Sequence, residues 1–287
     1  MAPRSFAVRH RTRLLVAGLS LGLLAACTGL PVATPNAPVA AQAAHAAQGP
    51  SAAERAVLAP TGVLRVGVYR GSPSSYVQSA PDQPARGVGF LLGRALALKL
   101  GVPFEPVVFA ANAPLLAAVA QSQVDIVFTN ATAERARTMD FSPTVLDVQK
   151  SVLVPAASPI ATLDALQGRA ARIGVSAGSS TGAELALVCP DARLQPVPTL
   201  QEAATLLSQG AIDGFATNNA ILFEMADRVP GSRVLPGAWG LEHFALGIPL
   251  GRGAGRDFVA RFARDVAQSG LLADAVEQSR LRGTVQP

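Results

Sequence analysis

From residue 61 onward the chain alternates short apolar, β-branched runs with Ala/Leu-rich stretches whose apolar positions fall at helical spacing. Residues 64–68 (Leu-Arg-Val-Gly-Val) predict a buried strand, and residues 90–100 predict a helix stopped by Gly101 and Pro103. A helix over 115–122 leads into a second buried strand, 124–128 (Val-Asp-Ile-Val-Phe). The order then returns. Residues 171–175 (Ala-Arg-Ile-Gly-Val) read as a strand, and 183–188 as a helix that stops at Pro190. A helix over 202–208 leads into the strand 212–216 (Ile-Asp-Gly-Phe-Ala). In each half a Gly/Ser loop follows the first strand, at 71–75 and at 177–181.

Strand and helix alternating in this way imply parallel sheets with right-handed crossovers. The predicted fold is therefore α/β, with two lobes facing one another rather than one continuous sheet. Lobe 1 is expected at 61–147 and 246–287, and lobe 2 at 148–245. The extended runs 151–155 and 244–249 are the expected crossings between them. A last helix, 257–273, is expected to return to lobe 1.

The N-terminal residues change the charge picture. Arg4, Arg9, Arg11 and Arg13 precede an apolar run, 14–26, that is too short to span a bilayer as a mature helix. This is the pattern of a signal peptide. It closes on Leu24-Ala25-Ala26-Cys27, which resembles a lipoprotein signal with Cys27 as the acylated residue; Ala-x-Ala sites between Val39 and Ala47 allow an ordinary cut instead. Either way the chain is expected to be exported. The whole chain has 24 basic and 19 acidic residues, and all four of those arginines leave with 1–27, so 20 basic residues face 19 acidic ones. The high isoelectric point belongs to the leader and is not a nucleic-acid footprint. Residues 28–60, rich in Ala and Pro, read as a flexible tether. Cys189 is left without a partner and reads as a buried structural thiol; scattered His and Cys give no metal-ligand spacing, and no cofactor is implied.

Candidate chemistry concentrates after the strand 124–128. Thr129, Asn130 and Thr132 follow it, and then Arg135. A guanidinium just beyond the carboxyl end of a buried strand stands where open α/β sheets bind ligands, and its planar fork suits a carboxylate. Pairing of Arg135 with Glu134 or Asp140 at the surface is the alternative, and Arg137 reads as a surface residue.

The ordered motifs Leu-Arg-Val-Gly-Val, Thr-Ala-Glu-Arg-Ala, Asp-Phe-Ser, Ile-Gly-Val-x-Ala-Gly-Ser-Ser and Ile-Asp-Gly-Phe resemble those of the family 3 extracellular solute-binding proteins. The resemblance spans nearly all of the folded chain. It implies a two-lobe fold of the periplasmic-binding-protein type with the ligand cleft between the lobes. It also implies a monomer that captures a small carboxylate-bearing ligand for an ABC permease in the membrane. By the same resemblance Arg135 binds the ligand carboxylate, and Asn130 stands at a hydroxyl-bearing contact, or forms a turn. Ser179 and Ser180 bring the opening of a lobe 2 helix to that carboxylate, or cap the helix. Asn218 stands where the family usually has an aspartate for the ligand's ammonium group. Tyr76 is the one aromatic left near the first loop, and Asn112 lines the pocket or caps a helix. A cyclohexadienyl dehydratase-like enzyme on the same fold is the alternative function. Asp147, Glu242 and His243 are then the candidate acids and bases, against a hinge or surface role. A sensor for a separate partner is the third reading.

Overall fold

The computed structural model describes residues 49–285. Cys27 and residues 28–48 of the expected tether lie outside them. The described fold opens with helix α1 (Ala52–Leu58), inside the segment expected to be tether. A reciprocal cap starts it: the Ser51 hydroxyl accepts from the Glu54 amide and the Glu54 carboxylate accepts from the Ser51 amide. Leu58 is fully buried, and Glu54 pairs with Arg261 at 2.8 Å, so the helix is docked on the C-terminal part of the chain.

Strand β1 (Leu64–Tyr69) is followed by α2 (Val88–Leu100), β2 (Phe104–Phe109), α3 (Asn112–Ala120) and β3 (Ile126–Asn130). β1 pairs in parallel with both β2 and β3. Helix α2 ends at Gly101, whose left-handed backbone lets its amide reach the carbonyls of Ala97 and Leu98. Gly93 of α2 sits directly on β1: a Cβ there would lie 2.5 Å from a Val66 methyl. Strand β4 (Met139–Phe141) then leads into the ten-residue β5 (Leu146–Pro155).

The second lobe repeats the plan. It runs β6 (Arg172–Ser176), α4 (Thr181–Val188), β7 (Arg193–Val197), α5 (Leu200–Ser208) and β8 (Gly214–Asn218), with β6 parallel to β7 and β8. Helix α6 (Asn219–Ala226) and β9 (Ser232–Val234) follow, and the chain returns through the ten-residue β10 (Gly240–Pro249). Cys189, at the end of α4, is buried, and burial pushes its thiol up.

The two halves share one hydrogen-bonded ladder, β2-β1-β3-β10-β5-β8-β6-β7. The expectation of two separate sheets is corrected at β5 and β10. Residues 146–150 of β5 pair with 240–244 of β10, and these are the paired crossing segments. Beyond them β5 joins lobe 2 through β8, and β10 joins lobe 1 through β3. The runs expected as crossings, 151–155 and 244–249, are thus the halves of these strands already committed to one lobe. The predicted last helix is broken at Gly270, whose φ of +83° is left-handed, into α7 (Arg256–Gln268) and α8 (Leu271–Gln278). A final strand, β11 (Thr284–Val285), pairs with β5 at Val148 and Asp147, adding a third strand beside the crossing. No helix among the described residues is long and apolar enough to cross a membrane.

Candidate functional site

Hydrogen bonds bring the carboxyl ends of β3 and β8, the loop before α4 and the crossing strand β10 together between the lobes. β3 is buried along its whole length and delivers Thr129 and Asn130 to the cleft edge. Arg135 lies one short 3-10 turn further on, Arg135–Arg137. Its Nη1 donates to the Thr129 hydroxyl at 2.6 Å and to the Asn130 carbonyl at 3.1 Å. Among the described residues its Nε and Nη2 have no protein acceptor, and it pairs with neither Glu134 nor Asp140; Asp140 faces Arg256 at 3.7 Å. One nitrogen of the guanidinium, Nη1, is therefore held by two acceptors, and the edge formed by Nε and Nη2 is left for another. Arg137 is exposed.

Asn130 bridges the lobes. Its side-chain oxygen accepts from the His243 amide at 2.8 Å, and its amide nitrogen lies 3.4 Å from the Ser180 hydroxyl of lobe 2. Ser180 opens α4 without capping it by its side chain, while the Ser179 hydroxyl donates back to the Ser176 carbonyl. Thr181, the first residue of α4, has a fully buried hydroxyl with no hydrogen-bond partner. The start of α4 thus offers helix-end amides, while the Thr181 hydroxyl is closed off from solvent. A second contact across the cleft joins the Asn112 amide to the Gly178 carbonyl at 3.5 Å.

Asn218 is not free. Its oxygen accepts from the Ile221 amide, capping α6, and its amide nitrogen donates to Glu242 Oε2 at 2.9 Å. Tyr76 is likewise placed away from the cleft. Its ring packs in the lobe 1 core edge-on to Phe90, and its hydroxyl donates to Gln78. The loop turns back through a bridge between Ser72 and Tyr76, which carries that ring into the core. Tyr69, at the carboxyl end of β1, packs against the cluster of Leu115, Val124 and Met139 and lies near enough to Glu242 and Arg135 for their charges to act on it. Burial pushes its phenol up to about 12, with Glu242 adding to the rise and Arg135 opposing it.

The crossing strands supply charges that pattern reading assigned to hinge or surface. Glu242 on β10 is 6% exposed, while the next residue, His243, points outward and meets Asp147 at 2.8 Å on the facing strand. This is the two-residue alternation of a strand. Burial pushes the Glu242 carboxyl up, against the pull of Arg135, the Asn218 hydrogen bond and Lys150. Arg135 is pushed down by burial and held up by Glu242 first and Tyr69 next. Lys150 of β5 is buried and paired with Glu184 of α4. Among the described residues, two cations, Arg135 and Lys150, and two carboxylates, Glu242 and Glu184, thus act on one another here. A separate cavity of about 1010 Å³, lined by Arg86, Glu224, Leu272 and Arg280, contains none of these residues.

A two-lobe α/β fold with an arginine at the first-lobe strand end and a helix opening opposite it leads to one family. The sequence model of the bacterial extracellular solute-binding proteins, family 3, matches residues 64–278. The chain belongs to that family. The glutamine-binding protein of Geobacillus stearothermophilus is 25% identical over 243 residues, covering 82% of this chain and 90% of that protein. The ABC transporter glutamine-binding protein of Bacillus subtilis (strain 168) is 28% identical over 123 residues, which span 45% of its length and 43% of this chain. Among solved structures, an amino acid ABC transporter substrate-binding protein of Streptococcus pneumoniae bound to L-arginine superposes with a TM-score of 0.70 at 20% identity, covering 81% of this chain and 100% of that one. The solute receptor for L-cysteine of Neisseria gonorrhoeae gives a TM-score of 0.69 at 25% identity, covering 78% of this chain and 92% of that one. This family 3 chain thus has the fold of the amino-acid ABC transporter substrate-binding proteins, with each lobe a mostly parallel sheet flanked by helices.

Proposed function

We propose that this protein is an extracytoplasmic receptor that closes its two lobes on a small carboxylate-bearing ligand, an amino acid or derivative, and presents it to an ABC importer. It works as a monomer held to the membrane by a lipid on Cys27. The observation that carries this reading is Arg135. Its guanidinium is anchored by Thr129 and Asn130 with its open edge unpaired, on the lobe facing Ser180 and the start of α4. A carboxylate there takes charge-assisted hydrogen bonds from lobe 1 and helix-end amides from lobe 2, so binding favours the closed form. The relatives named for glutamine, arginine and cysteine support an amino-acid ligand.

A thermal-shift screen of amino acids, opines and small dicarboxylates tests it. A ligand at a hundred times its Kd stabilises the folded state by about 2.7 kcal/mol. At least one carboxylate should raise the melting temperature, and Arg135→Ala should abolish the rise. If no carboxylate stabilises the protein, the receptor reading fails. The buried Glu242 with its raised pKa also fits a second reading, an eliminating enzyme in which it acts as general acid. Aromatic product on incubation with prephenate or arogenate would decide for that reading.

A further inference from the structure

We infer that Arg86 and Glu224 form a latch between the lobes, well away from the residues that would touch a ligand. It holds the lobes where the cross-cleft contacts are made, and so sets ligand affinity without touching the ligand. The inference rests on the receptor reading above and names two positioning residues for its closure step.

Arg86 belongs to lobe 1 and is held rigidly. Its amide and its carbonyl are hydrogen-bonded to Val77 at 2.9 and 2.7 Å. The next residue, Gly87, has a φ of +140°, and a Cβ there would lie 2.2 Å from the Ser75 carbonyl oxygen. From this fixed base the guanidinium reaches two places. Nη1 donates to the Ser279 carbonyl, just beyond α8, at 2.7 Å, and Nη2 lies 2.9 Å from both carboxylate oxygens of Glu224 on α6 of lobe 2. The two side chains are 19% and 9% exposed, so their charge-assisted bonds are screened less than those of a surface pair. Arg228, one turn along α6, also donates to Glu224 but is half exposed. Glu224 is thus a nearly buried carboxylate of one lobe, compensated in large part from the other.

Its placement makes this pair a latch. Glu224 lines two cavities that both lobes bound, of about 1010 and 460 Å³, so the interface around it is loosely filled. Helix α6 starts against the crossing strands. There the Asn219 amide meets Gln149 at 3.5 Å, and a Cβ on Gly283 would lie 2.3 Å from the Asn219 Cβ. Glu224 is five residues further on, about 7.5 Å along the helix, and so stands off the crossing about which hinged lobes turn. The pair is already in contact, so turning lobe 2 either stretches it or jams it. The same arrangement holds the cross-cleft contacts of Asn130 with Ser180 and of Asn112 with Gly178. The latch therefore favours the closed form before any ligand arrives. Arg282 and Asp227 repeat the link between the C-terminal segment and α6, but both are exposed and add little.

The test is a distance measurement between spin labels on the ligand-free full chain carrying Cys27→Ser, with Cys189 buried and unreactive. One pair of labels sits at Leu98→Cys and Leu187→Cys, and a second at Leu250→Cys and Leu187→Cys; all three positions are exposed, two on lobe 1 and one on lobe 2. Arg86→Met should move the distances to a second, more open population, with circular dichroism unchanged. Arg86→Lys, which keeps the charge, should fall between that variant and wild type. Calorimetric titration with L-glutamine, L-arginine and L-cysteine reads the consequence: a closed fraction cut about fivefold weakens binding about fivefold. Should Arg86→Met not fold, Glu224→Gln is read in the same two ways. Distances that match wild type in both variants overturn the latch, and shifted distances with unchanged affinity overturn its control of binding. If none of the three amino acids binds wild type, the distances alone decide the latch, and it is the receptor reading that is in question.

Discussion

The two lobes open with the same ionic clamp, and its surroundings differ sharply. In lobe 1, the Arg65 amide and guanidinium grip Asp125 at 2.8–3.0 Å, and Nη2 also reaches the Ser122 carbonyl. In lobe 2, Arg172 grips Asp213 in the same four-bond pattern, with Nη2 on the Gly210 carbonyl. Each clamp ties the first strand of its lobe to the turn before the last parallel strand. Asp125, however, is fully buried and carries a second guanidinium, Arg252, at 2.7 Å, whereas the Asp213 side chain is 37% exposed and has Arg172 alone. Equal geometry therefore does not mean equal energy. The lobe 1 clamp joins three separated stretches of chain in a dry environment, and the lobe 2 clamp works through water.

The largest effect should follow from Asp125→Ala. It strands two guanidiniums at a buried point, and breaking a buried ion pair by removing one partner costs about 3–5 kcal/mol. That is a large part of the roughly 5–15 kcal/mol stability of a domain. Urea unfolding should show a much lower midpoint, or no folded protein. A midpoint within error of wild type would mean the two clamps are energetically alike.

Next comes the contact between the lobes. Gly178 of lobe 2 has a φ of +71°, and a Cβ there would lie 2.9 Å from the Ala113 Cβ of lobe 1. Gly178→Ala costs about 1 kcal/mol for the left-handed backbone and adds a clash present only when the lobes touch. Ligand affinity should fall about tenfold, with the larger share in closure. Small-angle scattering with ligand should show a larger radius of gyration than wild type. An unchanged radius and affinity would mean the lobes close without this contact.

A smaller effect should come from the crossing strands that the lobes share. Glu242 has a raised pKa in the folded protein, so it takes up a proton more readily folded than unfolded. Its charge therefore opposes folding at neutral pH, and stability should rise as pH falls through the raised value toward the ordinary carboxylate range. Glu242→Gln should raise the melting temperature of the ligand-free protein at pH 7 and remove that rise on acidification. A lower melting temperature would show that Arg135 and Lys150 need its charge more than burial opposes it.

The two-lobe fold and its repeated order were legible in the sequence because strand and helix periods are local signals, and the same pattern puts Arg135 just beyond the end of β3. The expected lobe bounds at 147/148 and 245/246 fall in or beside the paired stretches 146–150 and 240–244, while the runs 151–155 and 244–249 reach past them into the lobes, because β5 and β10 run straight through the crossing. A strand's apolar pattern marks which face is buried and does not mark where it changes partners. Tyr76 reads in the sequence as the one aromatic near the first loop, and it takes the Ser72–Tyr76 bridge to show that its ring turns into the core. Glu242 was visible as a lone acid in an apolar run, yet what gives it meaning is Asn218, 24 residues away in sequence and 2.9 Å away in space. α1 could have been found: Ser51 and Glu54 have the spacing of a capping box within the Ala-rich segment.

The smallest effect should be that of Asp213→Ala, and its dependence on conditions is the sharper test. The hydrogen bonds from Arg172 hold the Asp213 carboxyl below its usual range. A lowered pKa means the ionised form is favoured by folding, so its contribution is present above the ordinary carboxylate range and is lost as pH falls through the lowered value. Asp213 and Arg172 are both solvent-accessible, so salt screens the pair. Asp213→Ala should therefore shift the urea midpoint only slightly at neutral pH and low salt. The shift should narrow at high salt and again at low pH. A shift as large as that of Asp125→Ala, or one indifferent to salt, would show that the lobe 2 clamp works as a buried one and that exposure is not what separates the two lobes.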